Sequence, residues 1–377
     1  MRFDLSDEQI QIEEMVRQLA RKAFAPKAAE IDEESRYPEE NMRQLAELGL
    51  LGMLFPASRG GSEAGPLAYS IALREVAAGC ASTAVGMAVT NMVGEAIYRF
   101  GNEEQRRKFL PGLATYGIGA GAFALTEPSA GSDAGSIRTT ATEDGDHFVL
   151  NGSKVFVTNG AYAGVTIVMA LTRKDERKIS AFLVEPGAPG FSVGKAEHKM
   201  GLKGSNTVSL AFDECRVPKR NMLGAPGEGF KIAMTALDGG RIGIASQAVG
   251  IGRAALEAAI AYAKERKQFG QPIAGFQAIQ AMVADAATEL DAAQMLVYRA
   301  AHLKETGRNF TKEASMAKVF ASEAGNRACH KAVQILGGYG YIREYPVERH
   351  LRDVRVTTIY EGTSEIQRIV ISRSLMR

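Results

Sequence analysis

The hydrophobic period of this chain changes twice, and that double change restricts its fold more than any other feature. Through residues 1–120 apolar positions recur at helical spacing: Ile12, Val16, Leu19 and Ala23 share one face behind a Ser6/Gln9 capping box. Further helices are predicted over 39–48, 66–79, 82–99 and 102–115, the last opening at Asn102 with Gln105. Near residue 121 the pattern turns to alternation. A short strand at Phe123–Thr126 stops at Pro128, a hairpin over 148–158 is predicted to turn at Asn151-Gly152, and strands follow at 165–171, 179–185, 191–194 and 207–213. From residue 228 helices return and lengthen: 230–266, with Gly239-Gly240 as a point where it can kink, then 275–306, 311–336, 346–354 and 363–375. Long alanine-rich helices of this kind pack as bundles. The expected fold is α+β, mainly α, with an N-terminal helical domain (1–120), a middle antiparallel β domain (121–226) and a C-terminal helical bundle (227–377).

At 377 residues, two or three domains are the natural division. A net charge of +2, with Lys and Arg interleaved among acids, points to neither nucleic acid nor an anionic membrane. No window approaches the run of about 20 apolar residues that spans a bilayer. Three dispersed cysteines in no Cys-x-x-Cys spacing fit a reducing compartment and no zinc site. The acidic opening, Met1 to Glu8, resembles neither a signal nor a transit peptide, so a cytoplasmic location is expected, or a mitochondrial matrix one if a leader is missing.

Several chemistries are set aside by their missing motifs: there is no His-Glu-x-x-His, Walker loop or Gly-x-Ser-x-Gly elbow. Gly117-Ile118-Gly119-Ala120-Gly121-Ala122 mimics a dinucleotide fingerprint, but a helix precedes it and a strand follows, the reverse of the required order. Two stretches remain. Leu125 to Ser136 brings a strand to a Gly/Ser-rich loop, either a plain connection or a nest of donors for an anionic or carbonyl group. Ile359 to Gln367 places Glu361 on a bend before a helix whose start reads as a Ser364/Gln367 capping box, with Gly362 allowing the turn. Locally, Glu361 reads first as an acid facing the positive end of that helix.

Taken together, the Leu125–Ser136 loop, Asn151 to Gly160, Arg266-Lys267-Gln268-Phe269-Gly270, Gln334 to Gly340 and Arg352-Asp353 resemble the acyl-CoA dehydrogenase family, in order and over nearly the whole chain. Leu237 to Ala245 is most similar to the short-chain (butyryl) and short branched-chain members. The resemblance implies FAD as cofactor, lined by Phe123, Leu125, Thr126, Gly131, Ser132, Phe156, Val157 and Thr158, and also touched by Thr363, Ser364 and Glu365. It implies that Arg266, Phe269, Gln334, Gly337 and Gly338 reach the FAD of a neighbouring subunit in a homotetramer. Read alone, Arg266 is equally a helix-end cation and Gly337-Gly338 a C-cap. Acyl-CoA would meet Ser132, Asp238, Gly239, Gly240, Arg241, Glu361 and Gly362. Many members carry Trp where Phe156 stands, and this chain has none.

The implied reaction removes an α proton and a β hydride from an acyl-CoA, giving a trans-2-enoyl-CoA, with electrons passing to electron-transfer flavoprotein. The family places its base either at the loop position matched by Glu361 or at the helix position matched by Gly240. Glycine carries no base, so the resemblance assigns Glu361, with Glu127, Glu365 and Asp238 as substitutes. The alternatives are an oxidase-like relative, one acting on cyclic or dicarboxylic acyl groups, and a silent acyl-CoA or FAD binder. A helix N-terminus behind Glu361 is expected to hold its pKa down until substrate displaces water.

Overall fold

The computed structural model describes residues 4–173 and 177–376. Six helices come first: α1 (Asp7–Leu19), α2 (Ala28–Glu33), α3 (Glu39–Glu47), α4 (Gly65–Gly79), α5 (Ala81–Phe100) and α6 (Glu103–Ala114). The capping box expected at Ser6/Gln9 forms, and the helix start expected at Asn102 with Gln105 is a capping box as well. Helices α4 and α5 are apolar on nearly every face because both are sandwiched, α4 against α1 and α7 (Gly229–Glu265), α5 against α7 and the first strand.

The middle layer is an eight-stranded sheet of β1 (Ala120–Ala124), β2 (Thr140–Asp144), β3 (His147–Thr158), β4 (Ala163–Arg173), β5 (Lys178–Val184), β6 (Phe191–Ala196), β7 (Thr207–Pro218) and β8 (Met222–Leu223). Its order is β6-β7-β3-β2-β4-β5-β8, with β1 beside β4. Two expectations need correction. The sheet is mixed, since β1 runs parallel to β4. No hairpin turns at Asn151-Gly152: β3 runs straight through, and the turn from β2 lies at Gly145 instead. The Asn-Gly pair marks a break in the β3–β7 register. There Gly152 lets the backbone pass Thr139, whose Cα would lie 2.8 Å from a Cβ at residue 152.

The last layer is α7 packed on α8 (Gln277–Glu305) and α9 (Thr311–Leu336), followed by α10 (Val347–Arg355) and α11 (Ser364–Leu375). Helix α7 continues unbroken through Gly239-Gly240. A two-residue ladder, β9 (Lys267–Gln268) with β10 (Gln271–Pro272), links α7 to α8. Small buried residues such as Ala245, Ala248, Ala317, Ala321 and Ala324 let the three long helices approach closely. Among the described residues, no helix is long and apolar enough to cross a membrane.

Candidate active site

Where the three layers meet there is a cleft of about 910 Å³, a size suited to a cofactor with its substrate. One wall is the loop after β1 and the end of β3, which bring Phe123, Leu125, Thr126, Gly131, Ser132, Phe156 and Thr158 together. The opposite wall is α7, through Leu237 and Arg241, and the 359–363 loop, with Glu361, Gly362 and Thr363. Val85, Val89 and Met92 on α5 close one apolar side.

The loop wall is held by a buried ion pair. Lys154 Nζ lies 2.7 Å from Glu127 Oε1 and 3.1 Å from the Leu125 carbonyl, with both charged side chains almost wholly out of solvent. Glu127 also accepts from the N–H groups of Arg138 (2.6 Å) and Thr139 (3.0 Å), so its carboxylate is fully used. Phe156 protrudes from this wall, 66% exposed, on a left-handed backbone (φ 57°). Cβ atoms at Gly131 and Gly135 would meet nothing within 4 Å, so the loop leaves an open cradle.

On the facing wall Glu361 takes φ 51° and Gly362 φ 93°, which turn the chain toward α7. The Glu361 carboxylate lies over Gly240: a Cβ there would fall 2.8 Å from Glu361 Cδ, with Oε2 nearer still. The two positions from which the resemblance draws a base therefore converge on one volume, and only one of them can carry a side chain. Glu361 Oε2 is shut off from solvent without a hydrogen-bond partner. Among the described residues its backbone N–H is unpaired as well. Burial raises the carboxyl pKa to about 7, against the pull of Lys318 and Arg241. This corrects the expectation that the helix N-terminus holds that pKa down; desolvation by the protein alone outweighs it.

The helix start is corrected too. Thr363, not Ser364, is the N-cap, its hydroxyl accepting from Ile366 N at 3.3 Å. Gln367 turns back to donate to the carbonyls of Gly362 (2.9 Å) and Glu361 (3.2 Å), clamping the bend. The three acids weighed as substitutes are engaged or face solvent. Asp238 binds Arg241 Nη1 and Thr311 Oγ1, each at 2.6 Å, Glu127 is saturated, and Glu365 faces solvent.

Several expected residues stand outside the cleft lining. Val157 points into the sheet core, Ser364 is buried, and Asp238, Gly239 and Gly240 lie on α7 behind the wall. Arg266, Gly337 and Gly338 line a separate surface hollow of about 410 Å³ that shares no residue with the cleft. Phe269 stands 92% exposed at the tip of the β9–β10 turn, and Gln334 is exposed on α9. Sequence reasoning missed Lys154 and Lys318. A signal for Lys318 was present, since it falls at helical spacing with Ala314, Ala321 and Gly325 on the buried face of α9.

The cleft fits FAD: an open Gly cradle, hydroxyls at Thr126, Ser132 and Thr158, an exposed aromatic ring and a facing, unpartnered carboxylate all border it. Comparison with known proteins agrees along the whole chain. Residues 6–116, 122–215 and 227–376 match the N-terminal, middle and C-terminal domain families of acyl-CoA dehydrogenase. An acyl-CoA dehydrogenase of Bacillus subtilis is 51% identical, over 99% of both chains. The rat mitochondrial short-chain specific acyl-CoA dehydrogenase is 49% identical over 96% of this chain and 88% of its own. The structure of Megasphaera elsdenii butyryl-CoA dehydrogenase superposes over 100% of both chains with a TM-score of 0.97 at 45% identity. With cleft, carboxylate and sequence in agreement from end to end, the chain belongs to the acyl-CoA dehydrogenase family.

Proposed function

We propose that this protein is an FAD-dependent dehydrogenase of short acyl-CoA thioesters, with Glu361 as the base that removes the α proton. The observation that carries the reading is the Glu361 carboxylate: it lies over Gly240 at the cleft, with Oε2 shut off from solvent and unpartnered. A base poised near neutral pH is suited to proton abstraction at physiological pH, and burial supplies that poise. The unpaired N–H of Glu361 is free to donate to the thioester carbonyl as negative charge develops on its oxygen. Thr126 and Thr158 would hold the flavin ring beside Phe156, with Gly131 and Ser132 cradling it; Val157 would contribute backbone only. When bound, FAD supplies the acceptor for the β hydride. The apolar wall of Val85, Val89, Met92 and Leu237 would exclude water from the acyl chain. The short-chain specific rat relative and the butyryl-CoA dehydrogenase of Megasphaera elsdenii support a short acyl group.

The exposed Phe269 and the hollow at Arg266, Gly337 and Gly338 support a homotetramer in which these groups meet a neighbour's FAD. Electron-transfer flavoprotein is the proposed acceptor of electrons, and the cytoplasm the proposed location, as the bacterial relative suggests. Anaerobic bleaching of the bound flavin by butyryl-, isobutyryl-, octanoyl- and palmitoyl-CoA tests the substrate class. Fastest bleaching by the four-carbon esters is expected; palmitoyl-CoA bleaching fastest would overturn it. Gly240→Ala forces the Glu361 carboxylate aside, so bleaching by the best substrate is expected to slow by roughly ten- to a hundred-fold. FAD content should not change, and an unaltered rate would show that the carboxylate does not work from this position.

A further inference from the structure

Lys318 sits on α9 behind the 359–363 loop, does not line the cleft, and has no exposed surface. Its Nζ donates one hydrogen bond, to the Gly362 carbonyl at 2.6 Å. Among the described residues it has no carboxylate within ion-pair distance, although it is one of the largest fully buried side chains. A buried ammonium with one neutral acceptor costs the fold more than a methionine of similar volume. The stability of α9 therefore does not account for it.

The groups around it indicate its use. Glu361 is the charge that acts on Lys318 most strongly, followed by Arg241 from α7, Glu365 from α11 and Glu323 from α9 itself. Around Glu361 the cations are Lys318 and Arg241, and the other titratable neighbours are the buried phenols of Tyr69 on α4 and Tyr360 in the loop. Arg241 is already matched by Asp238 at 2.6 Å. Lys318 is left as the unmatched positive charge behind the catalytic loop, tied to the residue that follows Glu361.

We propose that Lys318 is a positioning residue for the dehydrogenation: through the Gly362 carbonyl it fixes the loop that carries Glu361, and through its charge it keeps that carboxylate ionised and ready to accept a proton. The proposal rests on Glu361 being the base. Its sign is fixed, because a nearby cation favours the ionised acid, so removing the cation makes Glu361 harder to ionise and moves the acid limb of the rate to higher pH.

The test compares the FAD-loaded wild-type protein with Lys318→Met, Lys318→Gln and Lys318→Arg. Two quantities are read: the pH profile of kcat with butyryl-CoA, and, without turnover, the pH midpoint of the carboxyl infrared band that Glu361→Gln abolishes. Lys318→Met is expected to move both midpoints up by about one pH unit or more. At pH 7 such a shift lowers kcat about five-fold by loss of the ionised base alone, with KM little changed. Lys318→Gln keeps a donor for Gly362 but no charge and should show the same shift, so it carries the test if the methionine variant does not fold. Lys318→Arg keeps the charge and should hold the wild-type midpoint. Unchanged midpoints in the uncharged variants, with Glu361→Gln inactive, would overturn the proposal while leaving the base intact. An active Glu361→Gln would instead remove the reading on which it stands.

Discussion

Glu361→Gln is expected to lower kcat for acyl-CoA dehydrogenation by about 10²–10⁴-fold, the range that a positioned general base contributes. The substitution is nearly isosteric, so the bend held by Gln367 and Lys318 should persist and the protein should still purify yellow and bind acyl-CoA. None of the three acids weighed as substitutes is free to take over. Glu127 spends its oxygens on Lys154 and two backbone N–H groups, Asp238 on Arg241 and Thr311, and Glu365 lies in solvent. Rapid mixing with butyryl-CoA under anaerobic conditions measures the bleaching rate directly, and bleaching at the parental rate would show the base to be elsewhere. In the wild type the same measurement should slow as pH falls below about 7, because burial has raised the Glu361 pKa to that value and its protonated form cannot accept the α proton.

The second large effect lies in stability. Lys154→Met is expected to destabilise the protein by about 3–5 kcal/mol, as breaking a buried pair strands the remaining charge. Burial alone would push the Glu127 carboxyl up, but Lys154 and the N–H groups of Thr139 and Arg138 hold it below the ordinary range. An acid held low in the folded state stabilises the fold above its unfolded pKa and loses that contribution as pH falls through its folded one. The cost should therefore be full at neutral pH and shrink in acid. Adding Glu127→Gln to Lys154→Met should recover part of the loss, since the buried charge is gone and the amide oxygen can still accept from Arg138 or Thr139. Urea midpoints of the single and double variants measure this. FAD retention should follow, because Lys154 also grips the Leu125 carbonyl at the cleft wall. A single variant as stable as the parent would show that the pair holds nothing together.

Period and punctuation carried most of the architecture: α3 to α6, strands β4 to β7 and the three long helices lie within a few residues of their expected ranges. The strongest local signal misled. Asn151-Gly152 looks like a hairpin turn, yet tertiary pairing with β7 runs the strand through it and uses the glycine for a bulge beside Thr139. The parallel β1–β4 pairing was invisible because alternation shows a strand but not its partner. At the site, Glu361 stood out as a candidate only with the distant Leu125–Ser136 loop in view. Its raised pKa was not legible, since burial comes from α4, α7 and α9, far away in sequence. The buried lysines escaped because a lysine on a helix or strand normally faces water.

The backbone at Glu361 has one more consequence. Of nine buried side-chain polar atoms without a partner among the described residues, four belong to Arg241, Glu361, Ser364 and Gln367, in or beside the bend. Glu361 itself holds a left-handed φ of 51°, which asparagine or glycine occupies more easily. Nearly half of this dissatisfaction is thus gathered where the proposed proton transfer takes place, and among the described residues none of it lies in the sheet. Selection for durability alone would erase this acid, and a lineage released from the reaction would drift toward sturdier, inert descendants. On the proposed reading, glutamate at this bend marks a chain still held to its chemistry.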